Sequence, residues 1–397
     1  MTTSPRSERS DVTEALPIPR TEAPPAAEEL RETTPKGSGD TSSGGTSSGG
    51  PIAQGKSRGG IGSYLSRFSL VILLVASFAL YATWSKTGDI FTSTANLQNV
   101  AGSQAILAVL TLGLLIPMVS GNLDLSIGST AGLSSIAAAG LYSETGAPLL
   151  VGVLFGISTG LLVGLLNGLL VTYFQIDSFI VTLGTAAIIL GAVSWYSKGV
   201  SILQGIPQEL VAFGGGKLLG VPKLVYVLVL VALVTWYLLE QTPFGRNLHA
   251  IGSNKAASRL VGIRVERSIQ LSFVLSGGIA GLGGVLLLAY SGSANPQVGQ
   301  GFTLSAIAAA FLGAASFKLG KLNVLGSLVA IYFLAINING LSLAGVANWI
   351  SEVFTGLALI LAIIFTGVLA RKSNKGGGKT RKKPAVAAAK SHAESVT

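Results

Sequence analysis

The chain has no cysteine, which excludes disulfides, thiolate metal sites and cysteine nucleophiles and leaves its redox compartment without a signature. Histidine is nearly as scarce. Only His249 and His392 occur, far apart and without acidic or histidine partners at ligand spacing, so no metal site is expected. Charged residues make up 11% of the chain, and no lysine or arginine lies between Thr87 and Ser197. No G-x-x-x-x-G-K-S/T phosphate loop, H-E-x-x-H helix or G-x-S-x-G elbow appears, so the chain shows no means of hydrolysing ATP itself and no reason to be read as an enzyme.

What fills the chain instead is apolar. A hydrophobic share of 49% and a mean hydropathy of +0.62 do not describe a water-facing surface, so lipid is the solvent for most of it. Fifty-two glycines against fourteen prolines suit helices that approach closely inside a bilayer. Apolar runs recur near residues 68–84, 100–118, 129–143, 148–172, 179–196, 223–239, 269–290, 302–316, 323–341 and 349–370. Several are close to the roughly 20 residues that span a ~30 Å hydrocarbon core. The expectation is an all-α polytopic membrane bundle of about ten transmembrane helices, with the short runs at 129–143 and 302–316 tilted, broken or re-entrant.

Three regions follow. Residues 1–60, which include TSSGGTSSGG from Thr41, are too polar to offset chain entropy and read as a disordered cytoplasmic tail. Residues 61–370 read as the transmembrane domain, with 242–268 a cytoplasmic loop, and 371–397 as a basic cytoplasmic tail. Arg58 and Arg67 precede the first apolar run and no small-residue cleavage site follows it, so it is expected to stay as an anchor with the N-terminus inside. The net charge of +10 gathers before that run, at Arg246, Lys255, Arg259, Arg264 and Arg267, at Lys318 and Lys321, and after Ala370. With ten spans all four clusters fall on the cytoplasmic side; Lys198, Lys217 and Lys223 fall outside. The charge therefore reads as membrane topology, with lipid and not nucleic acid as the partner.

Three stretches carry polar groups that need an account. In VSGNLDLSIGS, Val119 to Ser129, Asp124 lies between strongly apolar runs, and glycines at 121 and 128 suit a broken helix. Two readings stay open for Asp124: a cap for a helix starting near Leu125, and a polar group on a solute pathway. In NGLLVTYFQIDSFIVTLGT, Asn167 to Thr185, the hydroxyls of Ser178 and Thr182 either bond their own helix or face a wet path. The loop Thr242 to Ser268 is too basic to span. Its Pro243, a helix start at Gly252 to Asn254 and a short helix from Ala256 to Val261 ended by Gly262 suit a docking surface for a soluble partner.

From Asn96 to Leu369 the chain resembles the ribose/xylose-type permeases of bacterial ATP-binding cassette importers. GNLDLSIGS resembles that family's G-x-I-D-L-S-V-G-S, NGLLVTYFQIDSFIVTLGT its N-G-L-x-V-x-x-x-x-I-P-S-F-I-V-T-L-G-T, and FGRNLHAIGSNKAASRLVGIRV its F-G-R-x-x-Y-A-I-G-G-N-x-x-A-A-x-x-S-G-I-x-V. The resemblance implies a permease homodimer in the bacterial cell membrane, both termini cytoplasmic, importing a sugar or sugar-like solute. It implies a cytoplasmic ATP-binding subunit that uses ATP and Mg, no cofactor in this chain, and an extracytoplasmic solute-binding protein. Phe244, Gly245, Arg246, Gly252, Asn254, Ala256, Ala257 and Gly262 would then form the coupling segment, and Asp124, Asn167, Ser178, Phe179 and Thr182 match positions near the pathway.

The chain also departs from that pattern. TLSAIAA and GAASFKLGKLN stand where the family has E-L-D-A-I-A-A and G-G-T-S-L-x-G-G-x-G, so Thr303 and Ser305 replace acids and Lys318 and Lys321 enter a glycine-rich turn. Asp177 stands where the family has proline. A short echo, Asn167-Gly168-Leu169 before Phe179 and Asn339-Gly340-Leu341 before Trp349, points to an internal repeat. The alternative is a secondary transporter in which Asp124 carries a coupling proton.

Overall fold

The computed structural model describes residues 68–347 and 349–377, the stretch 365–377 as backbone only. The expected tail at 1–60, the end of the basic tail and His392 lie outside the described residues. The elements are α1 (Ser69–Thr83), α2 (Gly88–Phe91), α3 (Thr94–Val119), α4 (Ile127–Thr145), α5 (Leu149–Tyr173), α6 (Ser178–Ser197) and α7 (Gln208–Gly214). A two-residue hairpin, β1 (Lys217–Leu218) with β2 (Val221–Pro222), leads to α8 (Lys223–Glu240), α9 (Pro243–Ser253) and α10 (Lys255–Leu260). Then come α11 (Val265–Ser291), α12 (Val298–Gly313), α13 (Val324–Leu343) and α14 (Trp349–Gly377). The basic tail thus begins as helix, since α14 runs past Ala370.

Six of these helices, α3, α5, α6, α8, α11 and α13, are long and apolar enough to cross a membrane; α1, α12 and the stretch Trp349–Ile364 of α14 are apolar but shorter. The run at 129–143 becomes α4, which is rich in Ser, Gly and Ala and buried over most of its length. Its weak hydropathy has a physical reason: α5, α6, α11 and α12 pack around it, so it need not be lipid-soluble. The lipid-facing helices show the opposite, with Leu154, Ile188 and Leu230 exposed on α5, α6 and α8. α3 is the central helix, every residue from Ala105 to Val119 being buried.

Glycine sets how closely the helices meet. On α5, a Cβ at Gly160 would stand 2.2 Å from the Gly277 carbonyl oxygen, and one at Gly164 2.2 Å from that of Phe273, so α5 and α11 touch backbone to backbone at their middles. Two further helices meet at their starts. α4 starts at Ile127 and α12 at Val298, and their first turns cross where Gly299 seats between Gly128 and Gly132. α4 packs on α5, α6 and α11 as α12 packs on α13, α14 and α3, so the two halves follow one plan. The Asn-Gly-Leu echo falls near the ends of the two equivalent helices, α5 and α13.

The ends of the bundle sort as the charges suggest. Lys318 pairs with Glu240 at the end of α8, and the α12–α13 turn shares a cleft with His249 of α9. At the opposite end, Ile202 bridges to Ala294 and Lys217 bonds Gln98.

Candidate functional site

The chain leaves α3 through Pro117 and Gly121, the latter at φ +84°, a left-handed conformation that glycine adopts without strain. Between Val119 and Ile127 the helical ladder is interrupted, and buried backbone groups need other partners. The N–H of Leu123 donates to Ser178 Oγ (3.1 Å), and that of Leu125 to Thr182 Oγ1 (3.0 Å). Thr182 also donates to its own helix, at the Ser178 carbonyl (2.8 Å). The two hydroxyls of α6 thus do the same work, and Ser178 and Thr182 together hold the break. Asp177 ahead of them caps α6, its Oδ1 accepting from the Phe179 N–H (2.8 Å), while the Phe179 side chain is exposed.

Asp124 sits at the centre, 2% exposed. Its Oδ1 accepts from the N–H of Ser126 (3.0 Å) and from Ser126 Oγ (2.6 Å), and its Oδ2 from Ser276 Oγ (3.1 Å). Ser126 Oγ in turn accepts from Asn167 Nδ2 (2.9 Å), and Asn167 Oδ1 from Thr185 Oγ1 (2.7 Å). Four elements, α5, α6, α11 and the break, meet in this chain of bonds. Because Ser276 adjoins Gly277, at the middle of both α5 and α11, the carboxylate lies at mid-bundle depth. The helix it precedes starts at Ile127 rather than near Leu125, and Asp124 braces that start from an Asx turn while its second oxygen ties α11. Thr303 completes the ring: its Oγ1 accepts from the Gly128 N–H (3.2 Å) at the crossing of α4 and α12. Ser276 and Thr185 carried no signal beyond being hydroxyls inside apolar runs, and Thr303 stood out only as a departure from the family's acid.

The loop 242–268 is more ordered than its punctuation suggests. Thr242 caps α9 by accepting from the Gly245 N–H (3.2 Å), and Asn254 caps α10 by accepting from the Ala257 N–H (2.9 Å). Gly252 is therefore not a helix start; it lies in the last turn of α9, where a Cβ would stand 2.2 Å from the Val119 carbonyl oxygen. Gly245 likewise lets α9 close on Leu239. Gly262, at φ +83°, ends α10 and returns the chain to α11, and Arg259 pairs with Glu266 (2.5 Å) across that return. Phe244 is packed inward, while Arg246, Asn254, Ala256 and Ala257 are exposed. So are Leu260 and Val261, at 89% and 76%. Leu260 closes α10 and Val261 follows it, so two aliphatic side chains stand bare at the end of the capped helix.

The family described as branched-chain amino acid transport system / permease component matches residues 96–363. This chain belongs to that permease family. The permease is 32% identical to the ribose import permease protein RbsC of Escherichia coli K12 over 295 residues, 73% of this chain and 91% of that one. It is 30% identical to the autoinducer 2 import system permease protein LsrD of Photorhabdus luminescens over 305 residues, 75% of this chain and 90% of that one. The probable ABC transporter permease protein YphD of Escherichia coli K12 is 32% identical over 331 residues, 82% of this chain and 97% of that one. No solved structure matches. The permease is a multi-pass membrane protein, and its residue departures are legible in place: Asp177 caps, Thr303 bonds the α4 start, and Lys318 binds Glu240.

Proposed function

We propose that the permease is the membrane-spanning subunit of an ATP-binding cassette importer for a sugar or sugar-like solute, working as a homodimer in the bacterial cell membrane with both termini in the cytoplasm. A separate ATPase subunit supplies energy from ATP and Mg, and an extracytoplasmic binding protein delivers solute. The observation that carries this reading is the α9–α10 face, where Leu260 and Val261 are bare beside the exposed Arg246, Ala256 and Ala257. Gly245, Gly252, Asn254 and Gly262 set its shape, and Phe244 anchors it to the core. Force applied there has a short route inward, because Gly252 abuts the end of α3 at Val119, directly before the break. Asp124, Asn167, Ser178 and Thr182 then act as the joint that keeps the break in register as the pathway opens.

Import of a sugar is supported by what similar proteins are said to import, ribose and autoinducer 2. The proton-coupled alternative is not favoured, since both Asp124 oxygens already accept buried hydrogen bonds and the side chain is closed off from water among the described residues. The test is solute uptake into proteoliposomes with and without the ATPase and binding protein. Uptake that requires both partners and ATP supports the reading; uptake by the permease alone, driven by a restored proton gradient, overturns it.

A further inference from the structure

We propose that the permease binds one anionic phospholipid at the end of the bundle that carries α9 and α10, with its phosphate on the α12–α13 turn and its acyl chains between α1 and α14. This rests only on the chain being a membrane protein, so it stands or falls apart from the importer reading. The turn is built rather than loose. Buried Asn323 donates to the carbonyls of Gly313 (3.2 Å), Ser316 (3.1 Å) and Lys321 (3.0 Å), and its Oδ1 accepts from the Gly326 N–H (2.7 Å). Phe317 is held at φ +57°, an uncommon conformation for a bulky side chain that persists only where the surroundings enforce it.

This pinned turn presents Lys318 and Lys321 to a cleft of about 550 Å³ that Glu240, His249 and Phe317 also line. Glu240 is taken by Lys318, and the exposed Lys321 ammonium has no ion-pair partner among the described residues, so the cleft retains a positive charge. A fixed cation at the membrane boundary suits a phosphate. Beside the cleft runs a second hollow, about 620 Å³ and almost wholly apolar, between Leu70 and Leu73 of α1 and Phe354 and Leu361 of α14, floored by Leu312 and Phe333. The Phe68 and Phe317 rings, 5.6 Å apart edge to face, join the two. A cationic cleft alone would suit any anion; the adjoining apolar groove commits the site to a lipid.

The test reconstitutes the full chain with equal phosphatidylglycerol and phosphatidylcholine, releases it into mild detergent and weighs the retained lipid by native mass spectrometry. Retention should favour phosphatidylglycerol by about tenfold, the order expected of two lysines of which one is already paired. Lys318→Gln with Lys321→Gln should bring the ratio to parity, Lys321→Gln alone, which leaves the Glu240 pair intact, should lower it partway, and Leu361→Trp should lower retention of both lipids. No preference in the wild type, a preference that survives the double substitution, or displacement of the lipid by glycerol 1-phosphate would each overturn the proposal.

Discussion

The segment from Ser120 to Ser126 buries polar groups, and the turn at Leu260 and Val261 exposes apolar ones. Each reverses the usual partition, and they resolve the reversal differently. Inside, both carboxylate oxygens of Asp124 find partners within the chain, at 2.6 to 3.1 Å. Outside, the aliphatic pair stays largely bare, and on the proposed function its partner is the ATPase subunit. On the proposed function the repaired exception is the joint and the open one is the interface. Mutations should therefore separate the two regions, stability responding at the first and partner coupling at the second.

The sharpest separation comes from Asp124→Ala. It strips three donors of their acceptor in a buried site, and each orphaned donor costs about 1–3 kcal/mol, so a loss of about 3 kcal/mol or more is expected. Thermal unfolding in detergent reads this directly. Asp124→Asn keeps one acceptor oxygen, and the Ser276 hydroxyl can turn to accept from the new amide, so its loss should stay below about 1.5 kcal/mol. An alanine variant as stable as the wild type would mean that the break is held without the carboxylate.

Gly252→Ala probes the contact between the regions. Its Cβ would meet the Val119 carbonyl, so α9 must shift off the end of α3 at a cost of about 1–3 kcal/mol. ATPase activity should then continue while solute uptake falls about tenfold or more. Uptake and hydrolysis falling together would place the defect in docking instead.

Leu260→Asp with Val261→Asp should change unfolding by no more than about 0.5 kcal/mol, because neither side chain packs on the permease. The same pair should weaken ATPase binding by about tenfold or more, measured by co-purification or titration. If stability fell as at Asp124, the contrast between joint and interface would fail.

How much of this was legible follows from the range of each interaction. Asp124, Asn167 and the helix start ending at Asn254 stand out because a carboxylate, an amide or a cap is conspicuous against apolar or basic neighbours. Ser276 lies 152 residues from Asp124, and no local pattern distinguishes it from a hydroxyl bonded to its own helix. Phe179 matched the resemblance and is 48% exposed, because a motif fixes a residue's place along the chain and not the face on which its helix presents it. The apolar runs located the helices, but α4 fell short as a lipid span because its neighbours, unknown from its own residues, are what shield it. Leu260 and Val261 were visible as aliphatics in a basic loop and became informative only once α10 was seen to leave them bare.

The smallest expected effect is a dependence on pH at the back of the α9 face. Burial beside the cleft pushes the pKa of His249 below its usual 6.5; Glu240 opposes that shift, and Lys321 and Lys318 reinforce it. The folded permease therefore prefers neutral imidazole, while the unfolded chain takes up its proton first as the pH falls. The stabilising contribution is complete above about pH 6.5 and is lost as the pH drops through the folded value. His249 is exposed, so solvent screens most of it and a few tenths of a kcal/mol remain. Between pH 7.5 and 5.5 the melting temperature of the wild type should fall by about 1 °C more than that of His249→Gln. A wild type that gained stability on acidification would mean that the Glu240 carboxylate dominates the imidazole, and hence that Lys318 does not hold Glu240 in solution as it does here.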